Sequence, residues 1–270
     1  MVAYKKCSGM GFEVHNKTLH SLLFADDQVI FAQDEEDMEY MLRKIDEEYR
    51  RWGLSINFQK TEYMCIGKKA TDLVIGTEVM KGCHSFKYLG TMISSTGNCQ
   101  SDIEHRIALG KNATRTLHGL IWNKTIRQEV KKMMFHSLIE NIMLYGAEML
   151  PIATKVRDRI RTVELDYMRR CLQLTREDRV RNEVVWERMG ISCSLTKTLE
   201  NKYLQWYGHV ERMSEERWPK KILQWSPKGK RARGRPPMKW KTFISKAMEE
   251  RNLKFGDWND QLIRKQKTNS

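Results

Sequence analysis

Two apolar segments that flank a pair of acidic residues mark the first part of the chain. Residues 19–32 read LHSLLFADDQVIFA, and the β-prone side chains on either side are separated by Asp26 and Asp27. Because Asp tolerates a positive φ better than most residues, this pattern predicts a β-hairpin whose two-residue turn is the Asp pair.

A helix is predicted directly after this hairpin. The apolar side chains follow the i, i+3, i+4, i+7 spacing of a single buried face: Met38, Met41, Leu42, Ile45, Tyr49 and Trp52. Asp34 is the predicted N-cap, and Gly53 stands where the helix should end. The next segments, GLSINFQKTEYMCIG, DLVIGTEVM and SFKYLGTMI, are punctuated by Gly67, Gly76 and Gly82, which predicts short strands.

The pattern becomes helical after Gly97. Helices are predicted over about residues 101–121 with Ser101 as cap, and over 126–145, 156–174, 183–189, 195–213 and 238–252. Before the last of these, residues 226–241 read SPKGKRARGRPPMKWK, with seven basic residues and no acid. The prolines and glycines of this segment predict a linker or a flexible arm. The expected fold class is therefore α+β, with an antiparallel sheet and one helix in residues 1–93 and helices after them.

Composition excludes several classes of protein. Apolar residues make up 40% and charged residues 30%, which is typical of a globular chain and not of a disordered one. The sequence shows neither a membrane span nor a signal peptide, so we expect an intracellular protein, nuclear or cytoplasmic, without a membrane partner. The six cysteines form no C-x-x-C pair and are predicted to be thiols in a reducing compartment.

The net charge of +14 is unevenly distributed. Residues 1–150 contain 19 Lys and Arg against 19 Asp and Glu, whereas residues 151–270 contain 29 against 15. A neutral half followed by a basic half favours catalysis or assembly in the first and polyanion binding in the second. A surface that merely keeps the chain soluble is the alternative interpretation.

Asp26 and Asp27 are the strongest candidates for chemistry. Two carboxylates held together at a hairpin tip repel each other, and a divalent cation relieves that repulsion. Mg²⁺ prefers one or two carboxylates together with substrate phosphates, as phosphoryl transfer requires. An ordinary exposed turn is the alternative on these residues alone.

The order of motifs along the chain resembles the reverse transcriptase palm of non-LTR (LINE-type) retrotransposons. The motifs that carry this resemblance are FADD at 24–27, GLSIN at 53–57, Lys60-Thr61 and FKYLG at 86–90. Further segments look like the region that follows the palm in these elements: LYGAE at 144–148, DRVRNE at 178–183, WYGHV at 206–210 and GRP at 234–236. The resemblance implies a partial palm over 1–93, a helical thumb over 94–150, and a basic helical tail over 151–270 with a flexible arm at 226–237.

The resemblance also implies roles for particular residues. Asp26 and Asp27 would be catalytic residues that bind Mg²⁺, and Lys60 would lie near the incoming nucleotide and its pyrophosphate. Tyr88, Leu89 and Gly90 match the hairpin that grips the primer end. The implied reaction is RNA-directed DNA synthesis, in which a primer 3′-hydroxyl attacks a nucleoside triphosphate, with an RNA template and a DNA primer or target as partners.

One departure from the family pattern bears on activity. The palm of this family has a further catalytic Asp upstream, but the only acid in residues 1–25 is Glu13. Two ligands without the third should hold metal ions weakly. We therefore expect a chain that is truncated at its N-terminus and does not polymerise DNA alone. An open palm should also expose sheet edges and apolar surface, and lower solubility.

The basic arm predicts nucleic-acid binding of its own. Its candidate residues could neutralise up to seven phosphates, for a log–log salt slope of roughly −6: Lys228, Lys230, Arg231, Arg233, Arg235, Lys239 and Lys241. The core RGRP at 233–236 also looks like an AT-hook, which enters the minor groove. The alternatives to a polymerase are thus a non-enzymatic nucleic-acid-binding fragment and a decayed element product without a cellular role.

Overall fold

The computed structural model describes residue 7 and residues 9–68, 70–175, 177–226 and 239–254. The chain divides into two compact units. The first contains the described residues of 1–98 and 214–231, and the second contains those of 99–213 and 232–270. In the described ranges, no helix combines the length and the apolar character that crossing a bilayer requires.

The strands of the first unit pair as hairpins. Each described sheet has two antiparallel strands: β1 (Phe12–Val14) with β2 (Lys17–Leu19), β3 (Ser21–Phe24) with β4 (Asp27–Ile30), β5 (Leu73–Ile75) with β6 (Glu78–Met80), and β7 (Ser85–Tyr88) with β8 (Thr91–Ser94). The antiparallel pairing is as predicted, but the described strands form four separate hairpins and not one sheet. Strand segments are short because turns interrupt them every few residues.

The helix α1 (Glu35–Arg51) lies where its periodicity predicted it. Trp52, which was predicted for the buried face, is instead the C-cap residue and is 73% exposed. The Asp34 carboxylate accepts the Asp37 N–H at 2.8 Å, which is the N-cap bond expected of that residue. At the other end, Gly53 takes a φ of 71°, and its N–H donates to the Arg50 carbonyl oxygen at 3.1 Å. The predicted start and end of this helix are therefore correct.

The core of the first unit lies between α1 and the segment that follows it. Its buried members come from α1, from residues 63–65 and from the β5–β6 hairpin: Leu42, Tyr63, Cys65, Leu73, Ile75 and Met80. Residues 54–66 are not the strand that was predicted, since their one pairing is the isolated parallel bridge between Tyr63 and Gly82. These residues form a loop whose apolar side chains pack on α1. Their burial there, and not pairing in a strand, accounts for the apolar pattern of the sequence.

The second unit is helical. Its helices are α2 (Gln100–Thr116), α3 (His118–Trp122), α4 (Gln128–Met134), α5 (Asn141–Leu144), α6 (Thr154–Cys171), α7 (Asn182–Met189), α8 (Leu195–Glu211) and α10 (Trp240–Glu250), whereas α9 (Trp218–Gln224) belongs to the first unit. A π-helical turn, Phe135–Glu140, joins α4 to α5. Ser101 is not the cap of α2, because the helix begins one residue earlier and Cys99 is the N-cap. The α9 helix was not predicted.

Hydrogen bonds between side chains connect α8 to α6 and to the end of α10. Glu200 accepts from Arg157 at 2.8 Å and from Arg251 at 3.3 Å. On α10, Phe243, Ile244, Ala247 and Met248 are buried at helical spacing. The mixture of helices and antiparallel hairpins agrees with the α+β class, while the palm, the thumb and the division at residue 150 stay predictions.

Candidate functional site

The Asp pair lies at the tip of the β3–β4 hairpin. Phe24 pairs with Asp27 in the register of this hairpin, so the turn consists of Ala25 and Asp26. The predicted turn was therefore misplaced by one residue, and Asp27 is the first residue of β4. Ala25 takes a φ of 49°, which supplies the positive φ that such a turn needs at its first position.

The base of this hairpin is fixed while its tip is exposed. The Tyr49 hydroxyl on α1 donates to the Gln28 side-chain oxygen, next to Asp27 in the chain. The Phe31 N–H donates to the His20 carbonyl oxygen at 2.8 Å and extends the pairing beyond Ile30. Partial burial raises the pKa of Tyr49, so its hydroxyl stays protonated and remains a donor. Both Asp side chains are therefore presented to solvent from an anchored hairpin.

Asp26 and Asp27 form an incomplete metal site. In the described part of the chain, no three His, Cys, Asp or Glu side chains come together in an arrangement that could hold a metal ion. Asp26 and Asp27 thus provide two carboxylates, and Mg²⁺ would need its other ligands from outside the described residues. Without such ligands, the two carboxylates would hold a metal ion only weakly.

Lys60 lies in an exposed turn between α1 and β5. Its backbone N–H donates to the carbonyl oxygen and to the side-chain oxygen of Asn57, at 3.1 and 3.2 Å. This turn is local to residues 57–61, where Thr61 also bonds to the Asn57 carbonyl oxygen. The side chain of Lys60 is exposed, and its role toward a nucleotide stays a prediction.

The predicted primer-grip residues form the end of the β7–β8 hairpin. Tyr88 pairs with Thr91, so Leu89 and Gly90 are the two turn residues. Their φ angles are 46° and 80°, the pair of positive values that a tight hairpin demands. A bulky residue in this conformation is strained, and Leu89 is 37% exposed at the tip. The hairpin exists where the resemblance requires one, and its function toward a primer stays a prediction.

Two residues of the predicted basic arm are described. Lys239 is the N-cap residue of α10 and Lys241 lies in its first turn, and both are exposed. Between them, the Trp240 indole N–H donates to the Glu148 carbonyl oxygen at 2.8 Å, which attaches the start of α10 to the second unit. The other five candidates, Lys228, Lys230, Arg231, Arg233 and Arg235, lie outside the described residues.

Three of the six basic residues of α6 form ion pairs. Arg157 pairs with Glu200 at 2.8 Å, Arg159 with Glu104 at 2.9 Å, and Arg170 with Asp166 at 3.0 Å. Two of these three acids lie far away in sequence, so no local pattern could reveal the pairing. These pairs reduce the positive charge that α6 offers to a polyanion.

Two features of the site were missed by reasoning from the sequence. Tyr49 was assigned only to the core of α1, although its hydroxyl holds the hairpin. Gln28 was overlooked as a polar residue within an apolar strand. Its position directly after the Asp pair is the signal that could have revealed it, since Gln28 is half-buried and a polar group removed from water needs a partner.

Comparison with known proteins supports the resemblance in the first unit. Residues 6–93 match the family described as reverse transcriptase (RNA-dependent DNA polymerase). The chain is also 25% identical, over 251 residues, to a Caenorhabditis elegans protein described as transposon-derived and uncharacterized, with 88% of each chain covered. No solved structure matches the chain. The matched segment includes the Asp hairpin, Lys60 and the β7–β8 hairpin, and so confirms a reverse transcriptase-like region there.

Proposed function

We propose that this chain is part of a reverse transcriptase of a non-LTR retrotransposon, and that it derives from such an element. The observation that carries this proposal is the exposed Asp26–Asp27 hairpin, anchored by Tyr49, inside the segment that matches the reverse transcriptase family. The transposon-derived relative, aligned over most of both chains, supports the same origin. The reaction of such an enzyme is RNA-directed DNA synthesis on an RNA template.

The proposed roles are those that the resemblance implies for residues of the first unit. The β3–β4 hairpin presents Asp26 and Asp27 as Mg²⁺ ligands, and the β7–β8 hairpin with Tyr88 to Gly90 holds the primer end. Lys60 acts near the pyrophosphate that leaves. Because these residues supply only two carboxylates, residues 1–270 by themselves bind the metal weakly and do not extend a primer.

Metal binding tests the assignment of the Asp pair. Mn²⁺, used as a paramagnetic probe in place of Mg²⁺, should bind the full chain weakly, and water-proton relaxation should detect it. The substitution Asp26→Asn should remove this binding, whereas Asp158→Asn, which changes an exposed carboxylate on α6, should leave it unchanged. Equal titrations of the parent and the Asp26→Asn variant would argue against the assignment.

Primer extension tests the absence of polymerisation. With an RNA template, a DNA primer, the four deoxynucleotides and Mg²⁺, the full chain should yield no product above background. If the full chain does extend the primer, and Asp27→Asn abolishes extension while Asp158→Asn preserves it, then two carboxylates are sufficient for polymerisation.

Nucleic-acid binding without catalysis is the second candidate. The exposed Lys239 and Lys241 at the start of α10 favour it, together with the basic sequence of the arm. In a salt titration of binding to duplex DNA, the double variant Lys239→Gln/Lys241→Gln should lower the log–log slope by roughly 2. An unchanged slope would exclude these two lysines from the contact.

A further inference from the structure

A polar cavity lies in the second unit, where the first turn of α8 meets the end of α10. Its volume is about 490 Å³, which is within the size range of small-molecule sites. Among the described residues that line it, none is aromatic or a large aliphatic: Thr196, Lys197, Glu200, Glu250, Arg251 and Asn252. A cavity of this size without an apolar wall favours a small ligand that is polar throughout.

One wall of the cavity is held by ion pairs that are mostly buried. Glu200 accepts from Arg251 at 3.3 Å and from Arg157 on α6 at 2.8 Å, so its charge is already compensated. Arg251 also donates to the Asn201 side-chain oxygen at 3.1 Å and to the Ala247 carbonyl oxygen at 3.2 Å. These bonds fix the wall before any ligand arrives, and a wall fixed in advance lowers the cost of binding.

Arg251 has a donor on this wall without an acceptor. Its side chain is 7% exposed, and its Nε–H is buried and has no hydrogen-bond partner among the described residues. A buried donor that stays unpaired costs free energy, and the cost is larger on a charged group. A ligand that brings an anionic oxygen beside this guanidinium would supply the acceptor after a small rotation of the group.

The other charged residues of the lining have opposite signs on the two helices. Lys197 lies in the first turn of α8, and Glu250 is the last residue of α10. The Lys197 N–H already donates to the Ser194 hydroxyl at 3.4 Å, so the side chain and not the backbone offers the positive charge. Glu250 is 4.0 Å from the Lys246 ammonium group and its side chain is 50% exposed. At that distance and exposure, the carboxylate can still take a cationic partner.

We propose that this cavity binds a small zwitterion of the amino-acid class. The ligand carboxylate lies between Lys197 and Arg251, and the ligand ammonium group lies against Glu250. Thr196 and Asn252 offer a hydroxyl and an amide to the polar remainder of the ligand. Opposite charges on one small molecule match the opposite charges of the two helices, whereas a simple anion would leave Glu250 without a partner. The site lies outside the reverse transcriptase-like segment and does not depend on the Asp pair.

Saturation-transfer NMR on the full chain tests binding, with L-glutamine as the first probe. L-Glutamine should bind saturably. N-Acetyl-L-glutamine, which lacks the ammonium charge, and 4-aminobutanamide, which lacks the carboxylate, should each bind about 10-fold more weakly or less, since each leaves one charged lining group unpaired. Equal binding of all three compounds would overturn the zwitterion, and so would binding of inorganic phosphate as tight as that of L-glutamine. If L-glutamine, L-glutamate and L-arginine all fail to bind, the proposal is wrong.

Two double variants that preserve the net charge locate the site. Lys197→Gln/Glu250→Gln removes one cation and one anion from the lining, whereas Lys202→Gln/Glu249→Gln removes the same charges from α8 and α10 outside the lining. The first should bind L-glutamine about 10- to 150-fold more weakly, and the second should bind it as the parent does. Circular dichroism verifies that both are folded. An equal loss in both variants, or no loss in the first, would overturn the site.

Single variants test the orientation of the ligand. In Glu250→Gln, the preference for L-glutamine over N-acetyl-L-glutamine should disappear, because the group that distinguishes them has lost its charge. In Lys197→Gln that preference should remain, while the preference over 4-aminobutanamide should fall. Unchanged preferences in both variants would contradict the assigned contacts. Asp26→Asn should bind L-glutamine as the parent does, which separates this result from the metal and polymerase assays.

Discussion

Glu164 makes the stability of the second unit depend on pH. Its side chain on α6 is 1% exposed, and one carboxylate oxygen accepts the Leu195 N–H at 2.8 Å, at the start of α8. The other oxygen, Oε2, is buried and has no hydrogen-bond partner among the described residues. Burial raises the pKa of Glu164 from its ordinary 4.5 to about 7, and the nearby Glu140 acts in the same direction, against the Leu195 N–H and Arg161.

The sign of the effect follows from linkage. A carboxyl whose pKa is higher in the folded than in the unfolded state favours folding while it is protonated. Its contribution is complete below about pH 4.5 and is lost as the pH rises to about 7. The difference between these two values corresponds to about 3 kcal/mol, most of which is lost between pH 5 and pH 8.

The substitution Glu164→Gln isolates this contribution. The Gln carbonyl oxygen can still accept the Leu195 N–H, but the side chain no longer titrates. The free energy of unfolding of the parent should therefore fall by about 2 to 3 kcal/mol relative to that of the variant between pH 5 and pH 8. Urea unfolding followed by circular dichroism measures this difference, and groups that titrate in both proteins cancel.

Glu187→Gln provides the control, because Glu187 is an exposed residue on α7. Its pH profile should run parallel to that of the parent. If the Glu164→Gln profile is also parallel, Glu164 is charged in the folded state and the reasoning from its burial is wrong.

Three further predictions concern packing and the Asp hairpin. Asp102→Ala removes the 2.9 Å ion pair with the buried Arg106, and urea unfolding should show a loss of about 3 to 5 kcal/mol; a loss below 1 kcal/mol would show that this pair contributes little to stability. Gly110→Ala places a methyl group 2.7 Å from the Met143 Cγ, so the melting temperature should fall with a cost of about 1 to 3 kcal/mol, whereas Gly119→Ala, which meets nothing within 4 Å, should cost less. Tyr49→Phe removes the bond that holds the Asp hairpin, and about 1 kcal/mol of stability with it; faster hydrogen exchange in β3 and β4 measures the loosening, and unchanged exchange there would contradict the anchoring role.

Local features of the fold were predictable from the sequence because short-range physics determines them. The start of α1 depends on Asp34, whose carboxylate accepts the N–H of Asp37, only three residues later. The end of the helix depends on Gly53, which adopts a positive φ. The buried faces of α1, α8 and α10 follow from helical spacing. The position of the Asp pair on a hairpin was likewise readable, to within one residue, from two apolar segments around a polar turn.

The arrangement of charges was decided only in the tertiary structure. Arg157 and Glu200 are 43 positions apart, and Arg159 and Glu104 are 55 apart, so counting charges along the chain could not reveal that these cations are paired. The described strands likewise pair with their sequence neighbours and do not join into one sheet, which apolar alternation cannot reveal. The burial of Glu164 depends on how α6 meets the start of α8. Caps, turns and helical faces follow from interactions over a few residues, whereas pairing between distant charges and the desolvation of a carboxylate depend on which elements pack together.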